Sequence, residues 1–327
     1  MNFDTLLKAR YVSTLQKGRP FVEKDITIGI TGKNIAYVGP AVGTHQAKKT
    51  KDYGEAWIIP GLINAHTHLP MTLFRGFSDD VPLQEWLTKY IFPAEARLVN
   101  PEFCRIGTEI AALEAMLSGT TCFADMYYFE PDIADVMDKS GLRAFLGESV
   151  IDFPAPDNKK MDGNDYRLLE ELIERTKGHS RLSAMIAPHA PYTCSDATLK
   201  KAAAFAKAKN ILLSIHVSET TFEVGESAKN FKMTPVERLL GLGVMDTPAI
   251  FAHCVHVTDS DIEIMAKKPV AAIYNPESNM KLGSGATRVR KMLDSGVTVA
   301  LGTDGCASNN DLNMIREMDT GAKLQKL

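Results

Sequence analysis

A chain of 327 residues, 45% of them hydrophobic, can bury one large core with a small satellite, and its length alone suggests about two domains. A formal net charge of −3 provides no broad positive field, which argues against nucleic acid and acidic membranes as partners and for a small, roughly neutral one. The cysteines, Cys104, Cys122, Cys194, Cys254 and Cys306, are odd in number and never form a C-x-x-C pair, so neither a disulfide framework nor a thiolate zinc knuckle is expected.

The chain opens Met1-Asn2-Phe3-Asp4, without a basic region leading into an apolar stretch. No later apolar run approaches the roughly 20 residues that span a bilayer, so a cytoplasmic protein is expected. Residues 1–57 read as short strands at 5–15, 25–30 and 34–38, parted by Gly18, Gly32 and Gly39 in turn settings, and predict a small sheet domain. From 58 to 327 the pattern becomes apolar or β-branched runs alternating with longer helical stretches, the form of a βα repeat. Strands are predicted near 58–66, 120–125, 143–150, 182–188, 211–217, 249–253, 269–274 and 297–303. Helix signals fill the gaps: Asn100-Pro101 with Gly119 past the end, Ser195 before 196–209, Thr234-Pro235, and Thr258 before 259–267. This predicts an α/β fold, a (β/α)8 barrel of the TIM type, with its chemistry at the C-terminal ends of the strands.

His66 and His68 end the first of these runs two residues apart, so period-two alternation puts both imidazoles on one side of the strand, where they can share one metal. His216 ends the run 211–215, His253 ends 249–252, His189 follows 182–188, and Asp304 follows 297–303. In a barrel these strand ends converge on one mouth, whereas chance would scatter them among helices and loops. Singly, each has a plainer reading, as a hydrogen-bonded structural histidine or, for Asp304, the cap of the next helix. The combination argues otherwise, because only His45 and His179 of the eight histidines lie away from strand ends; His256, just past His253, is read as structural. Three imidazoles and one carboxylate, His66, His68, His216 and Asp304, suit one divalent ion, zinc first, with a position left open for water. Such an ion lowers the pKa of that water to about 7. Glu219, three residues past His216, is placed to move a proton beside the ion without binding it, although alone it would read as a solvated loop carboxylate.

The stretch Pro60-Gly61-Leu62-Ile63-Asn64-Ala65-His66-Thr67-His68 is followed in order by four more motifs. These are His216-x-x-Glu219, His253-Cys254-Val255-His256, Asn275-Pro276-Glu277-Ser278-Asn279-Met280-Lys281-Leu282 and Leu301-Gly302-Thr303-Asp304-Gly305. The set resembles the amidohydrolase superfamily and, within it, the 5-methylthioadenosine/S-adenosylhomocysteine deaminases. The resemblance runs along the whole chain and is more specific for the superfamily than for the substrate. It implies a barrel with a small β-sandwich domain built in part from the N-terminal strands, and one zinc-type ion on His66, His68, His216 and Asp304. It also implies a proton shuttle at Glu219 to a purine ring nitrogen, with His253 and Asp304 orienting and deprotonating the attacking water. The implied reaction is hydrolytic deamination of an adenine nucleoside (methylthioadenosine, S-adenosylhomocysteine or adenosine) to the hypoxanthine product and ammonia. Glu95 would bind the ribose diol, His189 the substrate, and Trp86 would line the pocket; read alone, Glu95 is a salt-bridged helix residue and Trp86 core packing. A purine nucleoside is then the partner, and homo-oligomerisation is left open.

Two features depart from that pattern. Where relatives that handle the homocysteine carboxylate carry an arginine after the third strand, this chain has Glu148, with Arg167 left as a second anion contact or a surface residue. Like charges then favour methylthioadenosine or adenosine over S-adenosylhomocysteine. The chain also stops at Leu327 where relatives continue, so the usual C-terminal extension is expected to be missing, through fragmentation or supply by a companion chain. The nearest rival is another enzyme of the superfamily, of the guanine deaminase or triazine hydrolase type, which shares the ion and water chemistry but not the pocket. A barrel that has lost catalysis is disfavoured by the intact ligand positions, and a cytidine-type zinc deaminase by the missing P-C-x-x-C motif.

Overall fold

A computed structural model describes residues 1–159 and 166–326. The chain forms two compact units, Met1–Gly61 and Leu62–Leu327.

In the first unit β1 (Asn2–Ser13) pairs antiparallel with β2 (Val22–Thr31), and β2 antiparallel with β3 (Asn34–Pro40). β4 (Gln46–Asp52) and β5 (Trp57–Ile58) both run parallel to β1, giving one five-stranded layer. Its small core is Ala9, Val12, Ile26 and Ile28. β4 is not among the strands expected from sequence. Its Gln46-Ala47-Lys48-Lys49-Thr50-Lys51-Asp52 is mostly exposed and has no apolar alternation to betray it, while lysines on such an edge discourage pairing with other chains. The run expected as one strand from residue 58 is divided. Ile58 pairs with Val12, Pro60 offers no N–H to a ladder, and the barrel strand starts beyond it.

Among its described residues the second unit holds eight strands in chain order: β6 (Leu62–Thr67), β7 (Thr120–Tyr127), β8 (Arg143–Val150), β9 (Leu182–Pro188), β10 (Leu212–Val217), β11 (Ala249–His253), β12 (Val270–Tyr274) and β13 (Thr298–Leu301). Each pairs parallel with the next. Helices lie between them as the caps predict. Asn100 accepts from Phe103 N–H at the start of Pro101–Ser118, and Gly119 ends that helix at φ +84°, a left-handed turn that glycine adopts without strain. Ser195 opens Asp196–Lys209, and full capping boxes open Pro235–Gly241 and Asp259–Ala266. Alternate strand residues separate into two clusters. Ala124, Met185, Ile250 and Ile273 pack together on the face away from the helices, while Phe123, Leu146, Leu213 and Phe251 join helix residues such as Leu199 and Ile262. Among the described residues no helix is long and apolar enough to cross a membrane.

The ring closes between β6 and the turn after β13. Asp304 N–H donates to His66 O (3.0 Å), and the buried Asn64 amide both accepts from Thr303 N–H (3.0 Å) and donates to Thr303 Oγ1 (2.7 Å). The backbones meet so closely that a Cβ on Gly302 would stand 2.7 Å from His66 N, so only glycine fits. Asn64→Ala leaves Thr303 N–H and Oγ1 buried without these partners. It should lower stability by about 2–4 kcal/mol, seen as a lower urea midpoint with an unchanged slope. An unshifted midpoint would show that Asn64 does not hold the closure.

Candidate active site

His66 lies in β6 with His68 just past it, His216 lies in β10, and Asp304 follows β13, so the backbone delivers all four to one end of the ring. One ligand atom from each lies within 4.8 Å of the others. His68 Nδ1–H donates to Met126 O (2.5 Å) and His216 Nδ1–H to His189 O (2.6 Å). Those bonds fix the tautomers and leave both Nε2 lone pairs for an ion. Neither nitrogen of the buried His66 has a hydrogen-bond partner, nor has Asp304 Oδ1. Buried polar atoms left this way are costly, and a cation between His66 Nε2 and Asp304 Oδ1 satisfies both. Asp304 Oδ2 is already taken by Ser278 Oγ and Ser308 Oγ, each at 2.7 Å, so Oδ1 is the oxygen that faces His66 Nε2 (3.4 Å) and His68 Nε2 (3.1 Å). The donor set and its spacing fit one divalent ion.

The electrostatics suit that role. Burial pulls His66 down to about 4 and holds His216 well below its ordinary value, so both stay neutral, as ligation requires. Burial also lowers His68, but the Asp304 carboxylate outweighs it and lifts His68 to about 9, so this imidazole gives up its Nε2 proton when it binds an ion. Burial alone would raise Asp304; the His66 and His68 imidazoles beside its Oδ1 hold it instead well below the carboxylate range.

Glu219 stands beside this cluster, buried, with Oε1 accepting from Ser284 Oγ (3.2 Å) and Oε2 3.7 Å from His253 Nε2. Burial raises its pKa, so a proton on it is held at higher pH than on an exposed glutamate. Glu223 fixes the backbone underneath, accepting from Ser218 N–H (2.8 Å) and Glu219 N–H (2.9 Å). His253 has the parity of the helix-facing Phe251, and would point away from the mouth in a regular strand. Its left-handed backbone, φ +70°, turns it into the cavity, and Asp304 is left-handed too at φ +62°. Such conformations cost about 1–3 kcal/mol each and persist where the surroundings enforce them.

One cavity collects His68, His216, Asp304, Glu219, His253, His189, Glu95 and Trp86. The last two arrive on the long connection between β6 and β7, Trp86 opening a π-helical turn (Trp86–Ile91) and Glu95 in the helix Phe92–Leu98. Glu95 is buried and raised to about 7 by that burial, with Tyr127 O–H donating to its Oε1 (2.8 Å). His189, lowered to about 3 by burial, bonds through Nδ1 to Thr193 Oγ1 (2.8 Å). The rest of the wall combines apolar Met71, Leu83, Leu87, Ile91, Phe92 and Leu282 with Tyr127, Tyr128, Tyr192, Ser149 and Ser308.

Glu148 and Arg167 are not brought to this cavity. Glu148 shares the helix-facing parity of Leu146 on β8 and accepts from Phe129 N–H (3.2 Å) and Glu130 N–H (2.8 Å), at the start of the helix Glu130–Ser140. Burial, then the neighbouring Asp157, push its pKa well up. It is Ser149, one residue on, that reaches the cavity wall, and Arg167 lies with Glu148 and Asp157 in a separate polar recess behind it. The expected repulsion between Glu148 and a carboxylate tail is therefore withdrawn. The sequence reading also passed over Tyr127, Ser278, Asn279, Ser284 and Ser308, which touch the site groups through hydroxyls or amides that carry no signal alone; Ser278 and Asn279 lie in the quoted motif 275–282.

A family model described as the amidohydrolase family matches residues 57–327. The chain is 45% identical, over 91% of its length and 68% of the relative's, to a 5-methylthioadenosine/S-adenosylhomocysteine deaminase of Syntrophobacter fumaroxidans. It is 42% identical, over 91% of its length and 69% of the relative's, to a 5'-deoxyadenosine deaminase of Methanothermobacter thermautotrophicus. A crystal structure of an adenosine deaminase from Xanthomonas campestris with bound zinc superposes with a TM-score of 0.95 at 36% identity, covering 99% of this chain and 74% of that one. With a family model spanning its barrel and relatives matched over most of both lengths, the chain belongs to the amidohydrolase family.

Proposed function

We propose that this enzyme deaminates adenine nucleosides by hydrolysis, with His66, His68, His216 and Asp304 holding one zinc ion. The observation that carries the reading is that one cavity joins this ligand set to a carboxylate able to hold a proton, Glu219, and to a second buried carboxylate, Glu95. The names of the relatives and the zinc in the Xanthomonas campestris structure support it. A bound ion supplies water at the reacting carbon with its pKa lowered to about 7. His253 and Asp304 orient that water. Glu219 gives a proton to the purine ring nitrogen as the water oxygen joins the amino-bearing carbon and the water's proton passes to Asp304; that proton then goes to the amino group, the C–N bond breaks, ammonia departs, and the new hydroxyl returns its proton to Glu219 as the carbonyl forms. Glu95 receives the ribose hydroxyls, His189 contacts the base, and Trp86 closes the wall.

Among the described residues the cavity is lined by no lysine or arginine, and its apolar side suits a small uncharged 5' group. Ammonia release, followed across a panel, tests this. Methylthioadenosine, 5'-deoxyadenosine or adenosine should exceed free adenine, guanine, a chlorotriazine and S-adenosylhomocysteine in kcat/KM by about tenfold or more, the ratio for each 1.4 kcal/mol of differential binding. Guanine or the triazine as the best substrate would overturn the reading.

A further inference from the structure

The motif 275–282 contributes no ion ligand and no group that moves a proton, yet three side chains in and just beyond it reach three different parts of the site. From the stretch between β12 and the helix Val289–Asp294, Ser278 Oγ donates to Asp304 Oδ2 (2.7 Å), Asn279 Oδ1 meets His253 Nδ1 (2.8 Å), and Ser284 Oγ donates to Glu219 Oε1 (3.2 Å). All three residues are buried. The stretch is itself tied down. Asn279 N–H donates to Asn275 O (2.9 Å), Ser284 N–H to Asn279 O (2.8 Å), and His256 Nε2–H to Ser284 O (2.7 Å). Thr287 Oγ1 returns a bond to His253 O (2.8 Å), so this stretch and the turn after β11 hold each other.

Resting on the function proposed above, we infer that residues 278–284 act as one positioning element, and that Asn279 sets the tautomer of His253. A carbonyl oxygen only accepts, so the proton of His253 sits on Nδ1 and the lone pair on Nε2 faces Glu219 and the water's position. Among the described residues the amide nitrogen of Asn279 has no hydrogen-bond partner, so the acceptor is the half of the side chain that matters. Ser278 works on a different group: by occupying Asp304 Oδ2 it leaves Oδ1 to the ion. Ser284 holds Glu219 Oε1, which turns Oε2 toward His253. The three residues are positioning residues, since each acts through another group.

Full-length protein loaded with zinc separates these roles by kcat, KM, melting temperature and zinc retained against a chelator. Asn279→Leu, of similar size but without the acceptor, should lower kcat by about 10²-fold, with KM within a few-fold and zinc retained. Asn279→Asp keeps the acceptor at His253 Nδ1, replaces the unpartnered donor with a second acceptor oxygen and adds a negative charge, and should return kcat to within about tenfold of wild type. Ser284→Ala should lower kcat about tenfold without releasing zinc, whereas Ser278→Ala should give up zinc at about tenfold lower chelator concentration. Should Asn279→Leu fail to fold, the Asn279→Asp and Ser284→Ala arms still decide. An Asn279→Asp enzyme that folds but is inactive would overturn the inference, because an acceptor at His253 Nδ1 would then not suffice. So would all variants losing zinc and melting temperature in parallel, which is ordinary packing. Wild-type enzyme that released no ammonia from any adenine nucleoside would refute the functional reading instead, leaving the zinc-retention arm of Ser278 readable by itself.

Discussion

His66→Ala abolishes turnover, and the loss follows the ion. His66 is the most enclosed of the ligand set, with neither ring nitrogen bonded to protein, so nothing in the fold needs the imidazole except a cation. The three ligands left behind cannot close the same geometry, and a water diffusing into the gap does not restore the charge distribution. Lewis-acid activation contributes several kcal/mol, and each 1.36 kcal/mol is a factor of ten, so kcat/KM should fall by about 10³ or more. Elemental analysis should find about one zinc per wild-type chain and far less in the variant. Stripping wild-type protein with a chelator should lower its melting temperature, because an ion that binds only the folded chain stabilises it by mass action. Fully active protein free of metal would refute the ligand assignment.

Glu219→Gln separates proton transfer from ion binding. The amide keeps the shape of the side chain, can still accept from Ser284 Oγ, and leaves the backbone bonds to Glu223 untouched, so the fold of this turn survives. What it removes is the exchangeable carboxyl proton. General acid–base catalysis contributes about 10²–10⁴-fold, and kcat should drop by that factor with zinc at wild-type occupancy and KM within a few-fold. Zinc leaving in step with activity would make Glu219 a ligand; unchanged kcat would move the proton to another group.

Most of the barrel is legible because strands such as β9, β10 and β11 are buried on both faces and read as apolar runs, and because Asn100, Ser195, Thr234 and Thr258 announce the helices between them. The ligands are legible because strand ends are fixed points of this architecture. What escaped has physical causes. β4 is a lysine-rich strand stabilised by its backbone ladder with β1, so no hydrophobic period marks it. Glu148 was assigned to the cavity and Ser149 was not, although the two lie on opposite faces of β8; a one-residue error in register exchanges the faces of a strand. The inward turn of His253 depends on a left-handed residue that its side-chain type gives no reason to expect. Glu95 and Trp86 ride on a connection with no barrel period, and only the resemblance singled them out.

The bond from Asp304 N–H to His66 O places two of the four ligands on opposite sides of the seam, one on the first strand of the ring and one in the turn after the last, and Asn64 reaches Thr303 across 239 positions of sequence. A nascent chain therefore cannot offer the complete donor set until its last barrel strand has been made and has found its first. Half-built intermediates hold two or three imidazoles without the carboxylate, a weaker trap for metal. Acquisition of the ion thus reports that assembly has finished, and a quality-control protease meeting the apo chain would be meeting one whose seam lacks its ionic staple.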